Sequence, residues 1–177
     1  VSARQLTEPG FVQQFLATAQ SWAVPVERLV VEITESSVLD QAGTAQDRLQ
    51  ALRDAGVCIS IDDFGSGYSN LGQLLRVPFD VIKIDRSLLL TLSEMRERAG
   101  GDTSGPCAIM EAIVSIARVL RAPVLCEGVE TAVQRESLRA SGITYVQGYL
   151  TGPPMRPELL RPPCHGADAK VHTSVTV

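Results

Sequence analysis

Excess positive charge is the first thing this sequence lacks. Lys and Arg number 16 against 20 Asp and Glu, giving a net charge of −4 and a pI near 5.2. That balance excludes a protein held on nucleic acid or an anionic membrane by bulk charge. It leaves room for a small anionic ligand gripped through metal ions. Long hydrophobic runs are missing too. None approaches the roughly 18 residues of a membrane span, and the opening VSARQLTEPG has no apolar stretch of signal-peptide type. Cysteine is sparse: Cys58, Cys107, Cys126 and Cys164 form no CxxC pair, which argues against structural zinc. Cys58 and Cys126 sit in apolar runs and read as small core residues, as a reducing cytoplasm would allow. His165 and His172 fall in a polar C-terminal stretch and make poor ligands. An initiating Met is also absent; the chain opens at Val1 and reads as a piece of a longer protein.

What is present is enough for one domain with a proper core: 177 residues, 45% of them hydrophobic. Short β-branched runs recur at 29–33, 57–61, 81–84, 123–126 and 144–149. Helical stripes lie between them. Phe11, Val12, Phe15, Leu16, Ala19 and Trp22 share one face, which places Trp22 in the core. Ala45, Leu49 and Leu52 share another, and Ile109, Ile113, Ile116, Ala117 and Leu120 a third. Ala132 to Ala140 makes a fourth, with Gly142 as its cap. This β-α alternation predicts a parallel sheet, either an open sheet with helices on both faces or a closed barrel. Two segments read as unstructured: Arg96–Pro106, which is charged and Gly-rich, and residues 161–177, a flexible tail beyond a domain at 1–160.

The polar residues are placed in phase. Glu32 closes the first run with Glu35 just beyond; Asp62 and Asp63 close the second; Lys83 and Asp85 the third; Glu127 the fourth with Glu130 three residues on; Gln147 the fifth. In parallel α/β folds those strand ends share one mouth, where ligands bind. One lysine cannot neutralise so many carboxylates. Hard divalent cations can, and two such ions roughly 4 Å apart bridged by a carboxylate are an arrangement suited to phosphodiester hydrolysis. The Gly65–Gly67 GSG lacks the Lys-Ser/Thr of a P-loop and reads as a mobile loop over the site.

The motifs EITES, SIDDFGSGYSNL, FDVIKIDRS, CEGVET and QGYLTGPPM occur in the order seen in EAL domains, and from Val1 to about Met155 the chain resembles that family of bacterial cyclic di-GMP phosphodiesterases. The resemblance implies a TIM-like (β/α)8 barrel with one reversed strand, and two Mg2+ or Mn2+ ions that activate a water to open cyclic di-GMP to linear pGpG. By motif match Glu32 would bind the first metal, Asp62 bridge both, and Asp63 hold the second. Lys83 would orient the water or a phosphate oxygen. Glu127 would be a second-metal ligand or a general base, with Glu130 and Gln147 supporting at the mouth. Glu35 would tether the loop begun by Phe64, Gly65 and Gly67, which couples catalysis to dimerisation. A cytoplasmic homodimer with an upstream sensory or GGDEF-type domain belongs to the same expectation.

The sequence also departs from the family. It contains no Glu-Ala-Leu, whose glutamate is a metal ligand, and the family's next ligand, an asparagine, would precede Val1. Barrels usually need about 250 residues, so the expectation is an incomplete barrel that dimerises through its open edge or aggregates, and turns over weakly or not at all by itself. Two other readings stand beside the enzyme: a non-catalytic module that binds cyclic di-GMP or a protein, and a truncated product without function.

Overall fold

Apolar runs and helical stripes alternate along the chain, and the folded chain follows them. The computed structural model describes residues 1–35, 43–65 and 71–159. In order come α1 (Ala3–Thr7), α2 (Phe11–Ser21), a 3-10 turn (Val26–Arg28), β1 (Val30–Thr34), α3 (Thr44–Asp54), β2 (Cys58–Phe64), α4 (Leu71–Leu74), β3 (Val81–Ile84), α5 (Arg86–Arg98), α6 (Ser104–Leu120), β4 (Val124–Cys126), α7 (Ala132–Ala140), β5 (Tyr145–Val146) and a second 3-10 turn (Pro157–Leu159). No helix among these residues is long and apolar enough to cross a membrane.

The five strands are parallel and lie in the order β1-β2-β3-β4-β5. A doubly wound sheet reverses its strand order at a switch point; none of these strands does. The connections therefore put their helices on one side, as in a (β/α)8 barrel, of which this sheet is an open portion.

Register fixes which residues share a face. Glu32 pairs with Ser60, Thr34 with Asp62, Ser60 with Val81, Lys83 with Leu125, and Leu125 with Tyr145. Alternation then gathers Glu32, Ser60, Asp62, Lys83, Leu125 and Tyr145 on one face. The other face carries Val31, Ile33, Ile59, Ile61, Ile82, Ile84, Val124 and Cys126, all buried. Against it pack Leu49 and Leu52 of α3, Leu89 and Leu92 of α5, Val114 and Ala117 of α6, and Leu138 of α7. Each such aliphatic side chain contributes about 1.5–3 kcal/mol by leaving water.

At the strand starts, on the far side from the mouth, Asp80 locks α3 to the sheet. Its carboxylate accepts the Ile59 N–H at 2.9 Å and the Arg53 Nε–H at 2.8 Å. Burial, and then Asp80, push the Cys58 thiol up, so this half-buried cysteine stays a thiol.

Three expectations need correction. Arg96–Pro106 is ordered: α5 runs to Arg98, Gly100 and Gly101 turn the chain with positive φ, and α6 begins at Ser104. Leu89 and Leu92 anchor α5, and Pro106 sits in the first turn of α6, where its missing N–H costs nothing. Trp22 is 79% exposed because α2 ends at Ser21, so Trp22 lies just past the helical face it was assigned to. Glu32 is central in β1 rather than at its end, since the strand runs from Val30 to Thr34. The helix α7 matches its expected span, and Gly142 follows its cap with φ +91. Gly67 and the stretch 161–177 lie outside the described residues.

Candidate active site

β3 reads Val-Ile-Lys-Ile, and its alternation turns Lys83 away from the helices. Lys83 is nonetheless only 5% exposed. A buried ammonium needs partners, and neighbouring strands supply them. Its Nζ lies 2.7 Å from Glu32 Oε1, 2.7 Å from Glu127 Oε1 and 3.1 Å from Asp62 Oδ1. These carboxylates come from β1, the end of β4 and β2, so with Lys83 of β3 the cluster ties four neighbouring strands to one point.

A bulge delivers the two adjacent aspartates. Ile61 pairs with Ile82, but the next partners are Phe64 and Ile84, so β2 carries one extra residue there. Asp63 takes it up with φ +57, a left-handed conformation that Asp tolerates better than most residues. Bulges re-aim side chains beside active sites; this one breaks the alternation that would otherwise send Asp62 and Asp63 to opposite faces. Phe64 beyond it is buried, and Gly65 turns with φ +87 while its N–H donates to Glu35 Oε2 at 3.4 Å. Glu35, only 6% exposed, thus holds the start of the loop after β2.

Two close approaches shape the segment that bears Glu127. Its N–H donates to Ile84 O, while Val129, fully buried, donates to Gln147 O and accepts from Leu150 N–H. Gly148 makes this possible: a Cβ there would stand 2.3 Å from Val129 O. On the other side a Cβ on Gly128 would meet the Arg86 side chain at 2.4–2.8 Å. Both glycines have positive φ, and the glycines of CEGVET and QGYL are explained by this packing.

The electrostatics show one cation among too many anions. Burial pulls the Lys83 pKa down, but the hydrogen bonds it donates to Glu127 and Glu32 outweigh this and hold the ammonium charged above its usual range. Glu127 shifts up as well: burial, with the charges of Asp62 and Glu32, outweighs Lys83. Each partner of the pair moves upward because one ammonium is divided among three carboxylates. Asp63 is raised by burial, then by Asp62 and Asp85. Three atoms of the same face, Ser60 Oγ, Asp62 Oδ1 and Gln147 Oε1, are buried without an aligned hydrogen-bond partner. Asp62 Oδ1 touches the Lys83 charge, but off its donor directions. Orphaned polar atoms gathered on one face call for a water, an ion or a ligand to satisfy them.

Among the described residues no three His, Cys, Asp or Glu side chains close on a common metal point; Lys83 holds that centre. The donor set still fits hard cations in kind. It is all carboxylate oxygen, it carries uncompensated charge, and Asp62 keeps a buried oxygen without an aligned donor.

The structure therefore brings together Glu32, Asp62, Lys83 and Glu127, with Asp63 beside them and Gln147 on the same face. Glu130 does not join: its carboxylate pairs with Arg86 Nη2 at 2.6 Å and is well exposed. Sequence reasoning missed Arg86 and Ser60. The Ser60 signal was its place two residues before Asp62 in β2. Cys126, directly before Glu127, points into the apolar side; burial first, then Glu127, pushes its thiol up to about 12.

The family model described as EAL domain matches residues 1–154. The chain is 37% identical over 160 residues to the bifunctional diguanylate cyclase/cyclic di-GMP phosphodiesterase MucR of Pseudomonas aeruginosa, covering 90% of this chain and 22% of that protein. The solved PaMucR phosphodiesterase in complex with c-di-GMP superposes with a TM-score of 0.76 at 37% identity, over 89% of this chain and 61% of that one. The EAL domain of Mycobacterium smegmatis DcpA gives 0.73 at 34% identity, over 85% and 64%. The chain spans between 14% and 26% of the length of the curated relatives it matches.

Proposed function

The chain belongs to the EAL domain family, and we propose that it forms the catalytic mouth of a metal-dependent cyclic di-GMP phosphodiesterase that yields linear pGpG. The observation that carries this reading is the convergence of Glu32, Asp62 and Glu127, from three strands, on the buried Lys83.

In this reading Glu32, Asp62 and Asp63 would hold two Mg2+ or Mn2+ ions, with Glu127 a further ligand or the general base. The bound ions would supply charge neutralisation and water activation. The side chains do the rest. Lys83 presents a positive charge that stays protonated at neutral pH, suited to orient a phosphoryl oxygen or the attacking water. Glu127, its affinity for a proton raised by burial and like charges, is suited to take a proton from that water. A bond forms from water oxygen to phosphorus, and the bond to the ribose 3′-oxygen breaks, that oxygen taking a proton from solvent and leaving as the 3′-hydroxyl. Gln147 Oε1 and Ser60 Oγ are acceptors that a ligand or water can satisfy. Glu35 accepts the Gly65 N–H at the end of β2, and in this reading it couples the site to a homodimer partner. A cytoplasmic setting and an upstream sensory or GGDEF-type domain complete the reading; the name of MucR, which joins both activities, supports the latter.

The test is direct. Cyclic di-GMP incubated with the protein and Mg2+ or Mn2+ should give pGpG by chromatography, and chelation should stop it. Binding without pGpG would favour the non-catalytic module instead.

A further inference from the structure

The proposed chemistry leaves Arg86 unused. It is the first residue of α5, three residues after Lys83, and follows Asp85, whose carboxylate caps the helix by accepting the Ser87 N–H at 2.7 Å. That cap fixes where Arg86 leaves the backbone. Its stem then runs over Gly128, so close that no Cβ fits there, and its guanidinium ends on Glu130 at 2.6 Å. From the opposite side the backbone of Gln147–Leu150 grips Val129 with two hydrogen bonds of 3.0 Å. The segment from Glu127 to Glu130 is thus clamped between the backbone of 147–150, just after β5, and Arg86.

We infer that Arg86 is a positioning residue: by crossing Gly128 and pairing with Glu130, it holds the segment that aims Glu127 at Lys83. Glu130 then acts through Arg86 and touches no reacting atom. The consequence for turnover rests on the proposed phosphodiesterase reading; the clamp itself does not. An exposed ion pair alone is worth little, so the function of this one lies in geometry, where a small misplacement of a reacting group is costly.

The experiment compares wild type with Arg86→Ala, Arg86→Lys and the swap Arg86→Glu/Glu130→Arg, by amide hydrogen exchange and by cyclic di-GMP kinetics. Arg86→Ala should speed exchange across 127–131 about five-fold. It should lower kcat about tenfold with KM within about twofold, while Tm moves by about 1 °C or less. Arg86→Lys and the swap should each restore part of both losses. Unchanged exchange at 127–131 in Arg86→Ala, or slowed turnover that neither restores, would overturn the inference; so would faster exchange with kcat intact. If wild type itself yields no pGpG, the phosphodiesterase reading falls, and the exchange data alone decide whether Arg86 clamps the segment.

Discussion

The two faces of the parallel sheet are made from alternate residues of the same strands, yet they follow opposite rules. Behind the sheet, Ile33, Ile61, Ile82 and Ile84 are fully buried against helices. In front, Glu32, Asp62, Lys83 and Glu127 crowd together, and Ser60, Asp62 and Gln147 each bury an oxygen without an aligned partner. The first face is optimised for stability. The second tolerates repulsion and unmet hydrogen bonds, which a fold keeps where function requires them. Position on one strand, odd or even, decides which kind of damage a substitution does.

The largest expected effect breaks the front without touching the back. Glu127→Gln should cut pGpG formation about a thousandfold or more, measured by product chromatography, and leave the fold intact. Its stability at pH 7 should hold or rise by up to about 1 kcal/mol, because folding raises the Glu127 pKa and its ionisation therefore opposes folding.

Behind the sheet the outcome inverts. Ile84→Ala should cost about 3 kcal/mol in urea unfolding, from lost burial and the cavity left under α5. Whatever folded protein remains should keep its KM.

Lys83→Met tests the front as a charge balance and should lose about 3 kcal/mol at pH 7, since it strands three carboxylates around an apolar side chain. The folded pKa of Lys83 lies above its ordinary 10.5, so its contribution is present below that value and fades as pH rises through the folded pKa. Glu127 and Asp63 are raised from 4.5 and 3.8, and acids raised on folding penalise the folded state until pH falls below those values. Without the lysine they rise further, so denaturation at pH 7 and pH 4 should show the deficit shrinking toward acid.

The smallest effect belongs to neither face. Trp22→Ser removes a side chain that is 79% exposed and should change unfolding free energy by about 0.5 kcal/mol or less.

The rule separating the faces was largely legible in the sequence. Short β-branched runs marked the strands, and the polar residue closing each run marked the mouth, because a period of two and a parallel sheet leave little choice. Thr131 with Gln134 ahead of α7, and Ser2 with Gln5 ahead of α1, are capping boxes written in the sequence, though neither signal was used. Other features were invisible for physical reasons. The bulge at Asp62–Asp63 depends on how β2 meets β3, which no local pattern records. The clamp of Arg86 on Gly128 joins the start of α5 to the segment after β4, which are distant in sequence. Arg96–Pro106 looked loose because its charges and glycines hid a helix end and a helix start that tertiary packing secures.

The measurement closest to the central claim is Mn2+ binding, followed by water-proton relaxation, to wild type and to Asp62→Asn. If the front face is a carboxylate site for divalent cations, wild type binds Mn2+ and Asp62→Asn loses most of that binding while staying folded. Equal binding by both proteins, or none by wild type, would contradict the account.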